Sequence, residues 1–317
     1  MRPLKNLCEI AVIGGGLAGL AAARHATRLG HLVTLFEGSG LYGGLVATVG
    51  EVEDLPLPGH PSGQNVAMHL LEDGRKHGVR VLETGITRLE LGTRLLLIDE
   101  QGNIHHPEAV VIASGGALRR LGVPGEEEFH GRGVSRCATC DGGFFRDQHV
   151  VVVGGGDAAV HEALVLARTS RRVTMVCRSA LKAKREHADR LASRENVAFA
   201  WDCEVEAILG DDSGVTGVRL YNTRSGSRFD TDCTGVFPFI GIAPNTAFVP
   251  ASLLAPSGHV VADASLASAD PRVFAAGAVR AGCGGTAIEG LADGMHASES
   301  AMRSLLHSKR GNPRSPI

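Results

Sequence analysis

The strongest constraint on this chain is a turn that it carries twice. Residues 9–39, EIAVIGGGLAGLAAARHATRLGHLVTLFEGS, read as an apolar strand, a glycine turn, an Ala/Leu-rich helix that stops at Gly30, and a second apolar strand closing on Glu37. Gly14, Gly16 and Gly19 stand at GxGxxG spacing. In that pattern the first glycine permits the tight turn, the second lets a pyrophosphate approach the backbone, and the third brings helix and strand together. The start of the helix, at Leu17 and Ala18, offers free N–H groups and the positive end of a dipole to phosphates. Glu37 is placed to accept hydrogen bonds from both hydroxyls of an adenosine ribose. Strand, helix and terminal acid are all present, so a dinucleotide site is expected here.

Residues 149–179, HVVVVGGGDAAVHEALVLARTSRRVTMVCRS, repeat the pattern with Gly154, Gly156 and Ala159 at GxGxxA spacing. Asp157 and Ala158 open the second helix. This copy ends in Cys177 and Arg178 with no acid, and Lys182, Lys184 and Arg185 follow closely. An acid at that strand end would repel a 2′-phosphate, whereas Arg178 and its neighbours would bind one. The second site is therefore expected to prefer NADPH to NADH. The plainer reading of RSALKAKRE, a solvated helix face, stays open at this point.

Between the two units, residues 85–113 are expected to form a small antiparallel meander returning to the strand AVVIASGG. Near the end of the chain, RVFAAGAVRAGCGGTAIEGLADGMHASESAMRSLL reads as strand, glycine-rich turn and helix. The first domain is thus interrupted by the second and completed afterwards. The expected fold is α/β, with two Rossmann-like dinucleotide-binding domains, the second inserted into the first. The boundaries read as 1–116, 117–244 and 245–317, with the final HSKRGNPRSPI as a frayed tail. At 317 residues and 44% hydrophobic content the chain is long enough for two cores. A formal net charge of -2 offers no electrostatic reason to expect nucleic acid or an anionic membrane as a partner. No stretch approaches the ~20 apolar residues that span a bilayer, and the basic N-terminus lacks the pattern of a signal peptide. The expected location is the cytoplasm.

Of seven scattered cysteines only two are neighbours, in RCATCDGGFF, residues 136–145. Zinc would ask for a second CxxC or a pair of histidines at suitable spacing, and neither is present, so no metal is expected. Cys137 and Cys140 can instead close into a small ring and reopen, carrying two electrons. Asp141, directly after Cys140, is a candidate proton carrier. A dithiol that exchanges electrons with a nicotinamide needs an intermediary that accepts a hydride and hands it to sulfur. Flavin does this, and the first nucleotide site is where FAD would lie.

On these residues, and on VIGGGLAGLAAA, VVIASGGALRRLGVPGEEEFHGRGVS, CATCDGGFFRDQHVVVVGGGDAAVHEAL, GVTGVRL, IGIAPNT and VFAAGAV, the chain resembles the low-molecular-weight bacterial thioredoxin reductases over nearly its whole length. The resemblance implies the pyridine nucleotide-disulfide oxidoreductase type of fold and a homodimer. It implies an FAD domain interrupted by an NADPH domain that carries the CxxC, and a large rotation between the two. It makes Cys140 the sulfur nearest the flavin, Cys137 the one that exchanges with thioredoxin or a thioredoxin-like protein, and Asp141 the acid/base. It also carries cofactor contacts to Gly44, Leu45, Asp54, Gly115, Gly277, Ala278, Thr286 and Ala287.

Several of these positions depart from the pattern. Ala278 stands where the family has a flavin-binding Asp, and Gly285 and Thr286 where it has an Arg-Gln pair. Leu45 replaces a Gln, Asp54 an Asn, Ser179 the second arginine of the 2′-phosphate site, and His161 a Glu. Losing a charged hydrogen bond costs about 1.5–3 kcal/mol, so the change at 278 alone would weaken FAD by about one to two decades. These departures leave open a second reading, an FAD-containing dithiol oxidase or ferredoxin-linked disulfide reductase that uses NADPH poorly.

Overall fold

In the computed structural model of the chain, residues 8–52, 55 and 61–311 are described, 307–311 through their backbone alone. The chain divides into two compact units: Leu118–Ala243 forms the second, and the first takes up the chain before it and from Pro244 on.

In the first unit, β1 (Ile10–Ile13), β2 (Val33–Phe36), β3 (Arg80–Leu82), β7 (Ala109–Ile112) and β17 (Val273–Ala275) make one parallel sheet, in the order β17-β7-β1-β2-β3. Its central strands are buried throughout, which is what a parallel sheet covered on both faces requires. Ile10 and Val12 point into one apolar cluster with helix α1 (Leu17–Arg28). Ala11 and Ile13, on the opposite pleat, point into another with the meander. That meander is antiparallel: β4 (Ile86–Glu90), β5 (Leu96–Asp99) and β6 (Ile104–His105), as the alternation over residues 85–113 predicts. Helix α2 (Gly63–Lys76) packs beside α1 and is capped by the Ser62 hydroxyl, which accepts from the Asn65 N–H.

The chain enters and leaves the second unit by β8 (Gly116–Leu118) and β16 (Ile242–Pro244), which pair with each other. Within that unit β9 (His149–Val153), β10 (Arg172–Cys177), β11 (Val197–Trp201) and β15 (Gly235–Pro238) form a second parallel sheet. Val150 and Val152 face helix α4 (Asp157–Leu166), and Val151 and Val153 face an antiparallel sheet of β12 (Cys203–Asp211), β13 (Gly214–Asn222) and β14 (Arg228–Asp232). Helix α3 (Ala138–Asp141) lies against α4, and α5 (Arg185–Ala192) follows the turn after β10.

Two expectations need correction. Helix α6 (Ala287–Gly311) runs into the stretch read as a frayed tail. Its buried Ala297, Ala301 and Leu305 recur every four residues against the α1 core, and the helical backbone runs on past them to Gly311; residues 312–317 lie outside the described residues. RSALKAKRE is also not one helix face, because α5 begins only at Arg185. The turn before it is pulled back onto the second glycine loop, the Lys182 N–H donating to Gly155 O at 2.7 Å.

Backbone closeness dictates the first glycine loop. Gly14 adopts a φ of 106°, open to glycine at little cost, and a Cβ added at Gly19 would sit 1.8 Å from the Gly14 carbonyl oxygen. Gly19→Ala is therefore expected to destabilise the first unit by about 1–3 kcal/mol, read as a lower urea midpoint. Gly16→Ala, where an added Cβ meets nothing within 4 Å, should leave that midpoint in place.

Candidate active site

The first glycine loop is built as a cradle. Gly14 N–H donates to Phe36 O at 2.8 Å, which ties the turn to the end of β2. Gly16 is the N-cap of α1 with no side chain capping it, so the N–H groups of Leu17 and Ala18 are directed out of the helix. The space before Gly16 is open, while Gly44, at φ 57°, would place a Cβ 3.5 Å from Gly16 Cα. Glu37 is buried at the end of β2. One of its oxygens accepts from the Gly15 N–H at 2.6 Å, and the other from the Ser39 N–H and hydroxyl, both at 2.6 Å. Three of about four acceptor sites on that carboxylate are thereby used within the loop. Gly277 completes the wall, its added Cβ falling 2.9 Å from that of Ala18.

The second loop is similar in backbone and different in charge. Gly154 has a φ of 133°, its N–H donates to Val176 O at 3.0 Å, and Gly156 is an uncapped helix start facing open space. Asp157, in the first turn of α4, accepts from the Lys184 N–H at 2.8 Å. That bond draws the cationic turn over the loop. Arg178 is 76% exposed and within 3.8 Å of Glu204. It lines an open cavity of about 660 Å³ with Arg119 and Arg120, two cations with no signature in the sequence for this site because they lie far away in the chain. Cys177 is a packing residue under the loop, and burial pushes its thiol up to about 11.

Cys137 and Cys140 are joined as a disulfide across the first turn of α3. Cys140 is exposed and Cys137 half-buried. Two side chains without a sequence signature hold this turn. The buried Ser135 hydroxyl accepts from the Cys137 N–H at 3.1 Å and donates to Asp141 Oδ2 at 2.6 Å, so Asp141 is fixed on the dithiol. Glu162, on α4, accepts from the Ala138 N–H at 2.8 Å. Phe144, three residues past Asp141, is 78% exposed.

This combination is matched in known proteins. The model of the pyridine nucleotide-disulphide oxidoreductase family matches residues 8–302. The chain is 36% identical over 295 residues to the thioredoxin reductase of Treponema pallidum, covering 92% of this chain and 95% of that protein. It is 35% identical over 301 residues to that of Listeria monocytogenes, covering 94% of each. This chain belongs to the low-molecular-weight thioredoxin reductases. Among solved structures it is similar to the Lactococcus lactis thioredoxin reductase, with a TM-score of 0.90 and 31% identity, covering 95% of this chain and 100% of that one. The T. acidophilum thioredoxin reductase follows with a TM-score of 0.87 and 26% identity, covering 94% and 98%.

The family uses FAD and NADPH, and the two cradles fit dinucleotides: each has an uncapped helix start, an open face before its second glycine, and the expected charge at the strand end. Most of the departures fall around the first, Ser179 and His161 lying at the second. Ala278 is half-buried after Gly277 and carries no polar atom on its side chain. Leu45, 39% exposed, sits on the short turn Gly44–Thr48. Gly285 is at φ 81°, and Thr286 serves α6, accepting from the Glu289 N–H at 3.3 Å just before Ala287. Gly115 faces open space at φ 60° and accepts from the Asn245 N–H. Asp54 lies outside the described residues. Burial raises the Cys283 thiol, which disfavours its thiolate.

Burial also raises the Glu162 carboxyl above its ordinary 4.5. The unfolded chain then releases that proton at lower pH than the folded chain, so this group's contribution to stability falls as pH rises through the window from 4.5 upward. Glu162→Gln, which keeps an acceptor for Ala138, is expected to match the wild type below that window. It should melt at a higher temperature above it, a difference that melting curves between pH 4 and 8 will show.

Proposed function

We propose that this chain is an FAD-dependent, NADPH-using reductase of protein disulfides, acting on thioredoxin or a thioredoxin-like protein. The observation that carries this reading is the disulfide turn set between Ser135, Asp141 and Glu162 on a unit with its own dinucleotide loop. The first unit, residues 1–116 with 245–317, holds FAD through Gly14, Gly16, Leu17, Ala18, Gly19, Glu37, Gly44, Leu45, Asp54, Gly115, Gly277, Ala278, Thr286 and Ala287. The second, 117–244, holds NADPH through Gly154, Gly156, Asp157, Ala158 and Arg178. The protein works as a homodimer in the cytoplasm, a reading supported by its family; no helix among the described residues is long and apolar enough to cross a membrane.

Bound FAD supplies the two-electron relay between nicotinamide and sulfur. Opening the Cys137–Cys140 bond takes up two electrons and two protons. Asp141, held by the Ser135 hydroxyl, is the group that passes protons to and from the dithiol. Cys137 then attacks the disulfide of the target and forms a mixed disulfide. Cys140 attacks that bond, restores Cys137–Cys140 and releases the target as a dithiol, so atoms and electrons balance. The intact Cys137-Cys140 pair and the thioredoxin reductase relatives disfavour the alternative of an oxidase or ferredoxin-linked enzyme.

Anaerobic titration with NADPH is expected to bleach the oxidised flavin absorbance, and Cys140→Ser to keep that bleaching while abolishing reduction of thioredoxin. A flavin spectrum indifferent to NADPH but bleached by dithionite would overturn the reading. The exposed Phe144 offers a protein substrate an apolar contact beside the dithiol. Phe144→Ala should therefore raise KM for thioredoxin about tenfold and leave turnover of a small aromatic disulfide near wild type.

A further inference from the structure

The segment from Ala276 to Ala287 walls the first dinucleotide loop and is poorly suited to hold its own shape. It contains Gly277, Gly282, Gly284 and Gly285, of which 277, 282 and 285 have positive φ, and its regular structure is limited to the short turn Gly277–Val279 and a single bridge from Arg280 to Val260. Such a chain loses much entropy on ordering, and a ligand that must order it binds more weakly.

Three charged side chains tie it down. Asp293 is 8% exposed, and its Oδ2 accepts from the Gly277 N–H at 2.9 Å and from Arg280 Nε at 2.6 Å, while Oδ1 accepts from Arg280 Nη2 at 3.0 Å. The same Nη2 reaches Glu289 Oε1 at 3.1 Å, and Glu289 Oε2 accepts from the Gly284 N–H at 2.7 Å. Glu289 and Asp293 are four residues apart on one face of α6, so Arg280 bridges two successive turns. The segment is thereby fastened at 277, 280 and 284 to a helix that itself abuts α1, where a Cβ added at Gly294 would lie 2.1 Å from Ala18 O.

We propose that Arg280, Asp293 and Glu289 are positioning residues for FAD: they pre-order the glycine-rich wall of the first dinucleotide site, which carries Ala278 and has no carboxylate of its own at that position. The proposal rests on the reading that this site holds FAD. A buried ion pair adds little to net stability, because desolvation offsets its attraction. Removing one partner alone leaves a buried charge and does cost stability, so the effect on the shape of the segment is read as FAD affinity under conditions where the chain stays folded.

The test uses the full-length protein and its Asp293→Asn and Glu289→Gln variants. Both amides keep an acceptor for the loop N–H and remove the charge that holds Arg280. FAD affinity is measured by titration, and amide exchange over 277–286 together with the melting temperature in flavin-stripped protein. Asp293→Asn should weaken FAD by at least about tenfold and speed exchange in 277–286 ahead of the rest of the chain; leaving Arg280 with one carboxylate partner also lowers the melting temperature, so both readouts are taken where the variant is fully folded. Glu289→Gln, at a more exposed site, should weaken it about threefold, and it carries the test if the first variant does not fold. Wild-type affinity and exchange in the folded variants would overturn the proposal while leaving the FAD reading intact. Loss of affinity that only follows a lower melting temperature would overturn it too. A wild-type chain that takes up no FAD would remove both.

Discussion

The approach of a helix start to a strand end, closer than side chains allow, is the constraint on which this molecule depends. In the first unit it is set by Gly19 lying against the Gly14 carbonyl. In the second, Ala159 occupies the third position, and its methyl group lies where a Cβ on Gly154 would come within 3.2 Å of it. Each contact fixes an uncapped helix over the carboxyl end of a parallel sheet, where backbone N–H groups and a dipole end meet anions without any charged side chain. Much of the rest is packing that keeps those two turns in place: valine-rich strands buried on both faces, α1 clasped by α6, and α4 resting on the face of β9 and β10.

Once the turns are set, single residues at the strand ends distinguish the two sites. Glu37 is buried and locked to its own loop, whereas Arg178 is exposed at the edge of a cavity ringed by further arginines. One backbone plan thus yields an acidic strand end and a cationic one. The dithiol turn is added to the second unit by a similarly small set of contacts. The Ser135 hydroxyl links the backbone of Cys137 to Asp141, and Glu162 reaches from the nucleotide-loop helix to Ala138. The helix that starts at the second glycine loop and the turn that carries the sulfurs are joined directly.

The eroded flavin contacts look different with the structure in hand. Read along the chain, Ala278, Gly285 and Thr286 are losses. Folded, Thr286 caps α6, and the neighbouring Glu289 and Asp293 bring carboxylates to the segment that lacks one. Their spacing of four is visible in the sequence, but such spacings are common on solvated helices, and nothing local tells that Arg280 folds back between them.

What the amino-acid sequence alone determined were the features written in local pattern: both glycine loops, the acid at Glu37 and its absence at Arg178, the CxxC turn, the meander, and the family with its cofactors. Each depends on residues within a few positions of one another, where spacing and side-chain chemistry act directly. The tertiary structure decided what depends on distant partners. Arg119 and Arg120 line one cavity with Arg178 in the second unit, Ser135 and Glu162 converge on the dithiol, and α6 sets Ala297, Ala301 and Leu305 against the α1 core. Such contacts leave no period or motif in the sequence, because a side chain that closes a hydrogen bond across the fold needs only the right atom at the right place, and many residues around it would serve equally well in any other fold.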